Sequence, residues 1–186
     1  DVHGRDGWKF YTHGSSYEYD LWKTSIDAGA KADDYEFWKE LPYAQVDKIV
    51  FVGDYVDSYD LSNVIIKHNL LEIIEFKKLL PNKVVLLIGN HDVQYIVPKQ
   101  ICSGFRPESK IDLEQIFAEN ADLFKLAHEE TGESGAKWLW THAGVTSGWF
   151  EHLTKVLNNP KQRFRMIIDE WFKWGEEENE PRTVSE

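Results

Sequence analysis

The stretch KIVFVGDYVDS, residues 48–58, joins an unbroken apolar run to a glycine and two aspartates three residues apart. Four consecutive β-branched or aromatic residues, 49–52, suit a strand covered on both faces, as in a parallel sheet. Gly53 lets the backbone turn sharply, so Asp54 is presented where the strand leaves the sheet. Residues 84–88, VVLLI, repeat the design and run into Gly89-Asn90-His91-Asp92. Residues 138–141, WLWT, do so again before His142-Ala143-Gly144, and the sequence opens Asp1-Val2-His3-Gly4. Ser62 caps a predicted helix over 63–80, with Ile66, Leu70, Ile73 and Ile74 at helical spacing and Pro81 after its end. Strand, helix and strand in this order predict a right-handed parallel crossover and an α/β fold. The carboxyl ends of such strands are the usual place for a ligand site.

The 186 residues suffice for one domain with a substantial core, and residues 1–186 are read as a single domain. A net charge of -11 argues against a broad nucleic-acid surface or an anionic-membrane surface. Part of it is the acidic run 176–180, read as a solvated tail. No apolar run spans a bilayer. The single cysteine, Cys102, cannot form an intrachain disulfide, excludes a thiolate-only zinc site and fits the reducing cytoplasm.

Asp1 and His3, two apart at an extended strand end, point the same way and can reach one ion. Carboxylate and amide oxygens mixed with imidazole suit Mn²⁺, Fe or Zn²⁺ better than Ca²⁺ and leave the choice among them open. Residues 11–43 form an insertion that could overhang the site, although packing onto the domain explains most of its aromatics. Helices are expected at 17–26 and 34–41. His13 and His68 are not expected to be ligands. Residues 95–108 read as a loop, in which Arg106 is a candidate phosphate clamp through its bidentate fork. Cys102 in that loop is read as a buried, inert thiol. Further helices are expected at 112–130, with Asp112 as cap, at 147–157, and from Pro160 onward.

DVHG, GDYVDS, GNHD and THAG, in that order, resemble the motifs of the calcineurin-like metallophosphoesterases, over residues 1 to about 148. The nearest likeness is to the branch of Ser/Thr protein phosphatases and their bacterial and phage relatives. The resemblance implies a β-sandwich flanked by helices and a pair of divalent ions. Asp1 and His3 would hold one ion, Asn90 and His142 the other, with Asp54 bridging both. A hydroxide between the ions would attack phosphorus in line. His91 would protonate the leaving oxygen, and Asp57 would hold its ring. A phosphorylated protein, nucleotide or small molecule is the implied substrate, as a monoester. A phosphodiesterase or nuclease, and a non-catalytic interaction module, are the alternatives. Two departures stand out. Relatives place an Arg where this sequence has Ser58, and they carry a late Gly-His motif with a metal-binding His. Here the only histidine after His142 is His152, which does not follow a glycine. The expectation is of a longer chain whose remaining strands and last ligand lie outside this sequence.

Overall fold

The structure, a computed structural model, describes residues 2–97, 101–132 and 134–144. In chain order its helices are α1 (Trp8–His13), α2 (Ser16–Asp27), α3 (Asn63–Leu79), α4 (Asn90–Ile96) and α5 (Lys110–Glu119). Its strands are β1 (Ile49–Phe51), β2 (Val84–Leu87), β3 (Phe124–Lys125), β4 (Ala127–Thr131) and β5 (Lys137–Thr141). β1, β2 and β3 form a parallel sheet in that order, with Ile49 opposite Val84 and Leu86 opposite Phe124. β4 and β5 form a separate antiparallel pair. This is the mixed α/β arrangement expected from the sequence. All these elements lie in one unit, Asp1–Ala143.

The expected parallel strand–helix–strand unit is present. β2 is central and buried at all four residues, as its unbroken apolar run requires. α3 links β1 to β2, with the Ser62 hydroxyl accepting from the Ile65 amide at 3.4 Å. Its Ile66, Leu70, Ile73 and Ile74 are buried in the core. Lys77 closes the other end, donating to the carbonyls of Pro81 and Val84 at 2.7 Å each.

Of the aromatics in residues 11–43, Tyr19, Trp22 and Tyr43 belong to that core and Trp38 packs against it, whereas Tyr11, Tyr17, Tyr35 and Phe37 are exposed. Trp22 and Tyr43 pack on Phe76 of α3 with ring centroids 5.7 and 5.9 Å apart, and Trp8 of α1 joins them at 5.7 Å. Their polar ends are satisfied inside: Trp22 donates to Tyr43 at 3.0 Å, Tyr43 to the Ala32 carbonyl at 2.9 Å, and Trp8 to Asn69 at 2.8 Å.

Several local expectations are corrected. Residues 34–41 form successive turns, because the Asp34 carboxylate takes the Phe37 amide at 3.1 Å and Leu41 is extended before Pro42. The helix expected over 112–130 is α5, which starts at Lys110 and ends at Glu119. Asn120 closes it by donating its side-chain amide to the Ile116 carbonyl at 2.8 Å. Asp112 is in its first turn and pairs with Lys67 at 2.6 Å. The chain then turns to strands at β3 and β4. β5 ends at Thr141 as expected but is largely exposed and antiparallel to β4. The helices expected at 147–157 and from 160 onward lie outside the described residues. Among the described residues, no helix is long and apolar enough to cross a membrane.

Candidate active site

The site is built on two turns that follow β1 and β2. Gly53 has φ +98°, and Asp54 follows at +56°. An L-residue reaches this left-handed region only at a cost, and such residues gather at functional sites. The bend is clamped by Asp92, the last residue of the GNHD motif. Its carboxylate accepts the amides of Asp54, Tyr55 and Gly89, each at 2.8 Å. Asp92 is fully buried, and burial pushes its carboxyl up to about 8 despite those three donors. The sequence by itself assigns no role to Asp92, although it closes the Gly89-Asn90-His91-Asp92 motif. Gly89 is required here: a Cβ on it would lie 2.2 Å from Asp54 Oδ1 and 2.4 Å from the Asp54 amide nitrogen.

Clamped this way, Asp54 turns one oxygen toward each of two histidines. Oδ2 lies 3.8 Å from His3 Nε2, and Oδ1 lies 3.5 Å from His142 Nε2. The two imidazoles are oriented alike. His3 Nδ1 lies 3.3 Å from the Val56 carbonyl and His142 Nδ1 2.6 Å from the Val52 carbonyl. A carbonyl only accepts, so each Nδ1 carries a proton, and in a neutral ring Nε2 is then the nitrogen that could face a cation. Asn90, the first residue of α4, adds Oδ1 at 2.9 Å from His142 Nε2. The first motif is held in place by its backbone: the amides of His3 and Gly4 donate to the carbonyls of Asp54 and Tyr55, each at 2.8 Å. No strand precedes this turn among the described residues, and Asp1 itself lies outside them.

Four of the five expected ligands, His3, Asp54, Asn90 and His142, are thus brought together. Ligands that share an ion at about 2.0–2.2 Å stand roughly 3 Å apart. The His142–Asn90 separation matches, and the two Asp54 separations are slightly wider. Among the described residues, no group of three or more His, Cys, Asp or Glu side chains is gathered closely enough to hold an ion by itself. The donor set still fits a divalent cation, because carboxylate, amide and imidazole lone pairs converge and a cation would satisfy them together.

Beside this cluster stands a second arrangement. His91 Nδ1 lies 3.3 Å from Asp57 Oδ2, and the His91 amide donates to Asp54 Oδ1 at 3.0 Å. The Asp57 side chain is wholly buried, at φ +68°. Gln94 donates to Asp57 Oδ2 and Tyr95 to Oδ1. Burial raises the Asp57 carboxyl, while the bonds from Tyr95 and His91 pull it back. Positions 91, 94 and 95 are one helix face, so α4 aims three donors at one carboxylate. Gln94 and Tyr95 are not legible in the sequence as partners of Asp57, where no helix is expected at 90–96 and residues from 95 onward read as a loop. The i, i+3, i+4 spacing after His91 was the signal available.

Arg106 lies in the stretch between α4 and α5, where its charge helps lower the Asp57 carboxyl. Its guanidinium donates to the Ser58 carbonyl and to Asn63 Oδ1, and its amide to Tyr95 Oη at 3.0 Å. Arg5 pairs in a fork with Asp60 at 2.8 and 3.1 Å on the surface. His68 is exposed, and His13 is sealed in the aromatic core; neither is near these ligands.

Comparison with known proteins adds one finding. The family model described as calcineurin-like phosphoesterase matches residues 1–184. No curated protein and no solved structure matches the chain.

Proposed function

This chain belongs to the calcineurin-like phosphoesterase family, whose members hydrolyse phosphoesters with divalent metals, and we propose that it is a dinuclear phosphatase acting on phosphate monoesters. Asp54 would be shared between two ions, with Asp1 and His3 on one side and Asn90 and His142 on the other. Mn²⁺ is the first choice, with Fe or Zn²⁺ as alternatives. When bound, the ions supply an activated water and neutralise the phosphate's charge.

The observation that carries the reading is the buried Asp57 with His91 beside the Asp54 cluster. With Nδ1 turned to Asp57, His91 has Nε2 left to give a proton to the departing oxygen. The Asp57 carboxylate holds the His91 ring by Nδ1, and Gln94 and Tyr95 keep that carboxylate from turning away. An interaction module without chemistry has no use for a buried carboxylate held against an imidazole by two further donors from the same helix. Arg106 stands for the arginine that relatives carry at the position of Ser58: its guanidinium rests on the Ser58 carbonyl itself. Two of its five N–H groups are used there, and the others can meet phosphate oxygens. A phosphorylated protein, nucleotide or small molecule in the cytoplasm is the substrate this reading requires. The net charge of -11 disfavours nucleic acid.

The test compares p-nitrophenyl phosphate with bis(p-nitrophenyl) phosphate, with Mn²⁺ and with a chelator. Faster turnover of the monoester, abolished by the chelator, is expected. Preference for the bis-ester would overturn the monoesterase assignment, and indifference to the chelator would overturn metal dependence.

A further inference from the structure

Cys102 stands where the two halves of the site meet. It is partly exposed, not the buried thiol expected from the sequence. Its sulfur touches Asn90 twice, accepting from Nδ2 at 3.5 Å and donating to the Asn90 carbonyl at 3.6 Å. Its amide donates to Gln94 Oε1 at 2.8 Å, and the other end of that Gln94 side chain donates to Asp57. One residue of the loop before Arg106 is therefore bonded both to Asn90 and to the support of the Asp57–His91 pair.

The contact with Nδ2 has a chemical consequence. A carboxamide has an oxygen end and an NH₂ end of nearly the same shape, and only the oxygen ligates a cation. Asn90 begins a helix at the mouth of the site, so packing alone does little to choose between the two ends. A sulfur lone pair beside Nδ2 does choose. With the NH₂ held toward Cys102, Oδ1 must face His142 Nε2, where it stands at 2.9 Å. Rotating the amide by half a turn would put NH₂ toward the cation and Oδ1 beside the sulfur, losing both contacts.

We propose that Cys102 is a positioning residue that fixes the amide orientation of Asn90 and so makes Asn90 a ligand. The proposal rests on the metal-dependent phosphoesterase reading above. Partners of metal ligands typically matter by 10–100-fold in affinity. A serine at 102 offers the same acceptor and donor, whereas an alanine offers neither.

The experiment uses the full chain with Mn²⁺ as the probe, titrated calorimetrically. Cys102→Ala should weaken Mn²⁺ binding by about tenfold, and Cys102→Ser should restore it to within about threefold. In an Asn90→Ala background, Cys102→Ala should cost nothing further, since its effect passes through Asn90. A second readout needs no metal: the Asn90 side-chain NH₂ signals in a ¹⁵N–¹H spectrum should move in Cys102→Ala and stay in Cys102→Ser. Wild-type Mn²⁺ affinity in Cys102→Ala, unmoved Asn90 signals, or a full loss repeated without Asn90 would each overturn the proposal. If the unaltered protein binds no Mn²⁺ while the Asn90 signals move as described, the metal reading falls and the positioning of the amide stands.

Discussion

His91 and Asn90 are neighbours on the chain and are assigned opposite tasks. Asn90 Oδ1 faces His142, while His91 turns Nδ1 to Asp57. His91→Asn should therefore keep metal content and fold but lose about 10²–10⁴-fold in rate on alkyl phosphates, the usual worth of a general acid. The loss should shrink on p-nitrophenyl phosphate, whose oxygen departs without a proton. A variant that loses metal instead would make His91 a ligand. Arg106 is tested separately. Because its guanidinium sits on the Ser58 carbonyl, Arg106→Ala should raise KM or lower kcat by roughly tenfold, a charge-assisted bond being worth about 1.5–3 kcal/mol. Unchanged steady-state kinetics would leave it a structural tie between two loops. The candidate ligands themselves could be read from residue type and order. That Asp54, Asp57 and His3 adopt positive φ could not, because these side chains take that region only where surrounding bonds hold them there.

At the scale of elements, β1, β2 and α3 were legible and the region after α5 was not. The first three carry long, one-sided or wholly apolar patterns, and their caps and Pro81 mark the ends. β3 and β4 are short, and His128-Glu129-Glu130 reads as readily as helix; β4 exists through its pairing with β5. α4 is hidden in the sequence because its seven residues, opening on Asn-His directly after Gly89, look like a turn. Yet the close contact of its first turn with the β1 turn is what assembles the site. Gly89→Ala forces a Cβ into the backbone and carboxylate of Asp54, so it should destabilise the fold by about 2 kcal/mol or more and weaken metal binding. Gly7→Ala, with nothing within 4 Å of its Cβ, is the control and should stay within about 0.5 kcal/mol. Equal melting of the two variants by denaturant would mean that the two turns are not closely packed.

At the scale of the whole molecule, an aromatic core contributed by α1, α2 and α3 supports the sheet, and it contains a titratable group. His13 is 1% exposed between Trp8, Tyr19, Trp22, Tyr43 and Phe76, and burial lowers its pKa to about 3, with Lys9 assisting. Its unfolded value is near 6.5. The unfolded chain thus binds the proton more readily, so stability is full above pH 6.5 and falls as the pH drops toward 3. Between pH 7 and 4.5 this one ring should remove about 2–3 kcal/mol. Urea unfolding at the two pH values should show that loss in the protein and a loss smaller by about that amount in His13→Phe. Equal losses would mean that His13 is protonated inside the fold.

The claim on which the rest depends is that Asp54 is shared by two metal sites. Mn²⁺ stoichiometry and affinity in the unaltered protein, Asn90→Ala and Asp54→Ala measure it most directly. The account predicts two sites in the unaltered protein, one site left strong in Asn90→Ala, and both severely weakened in Asp54→Ala. Two ions held with undiminished affinity by Asp54→Ala would contradict it.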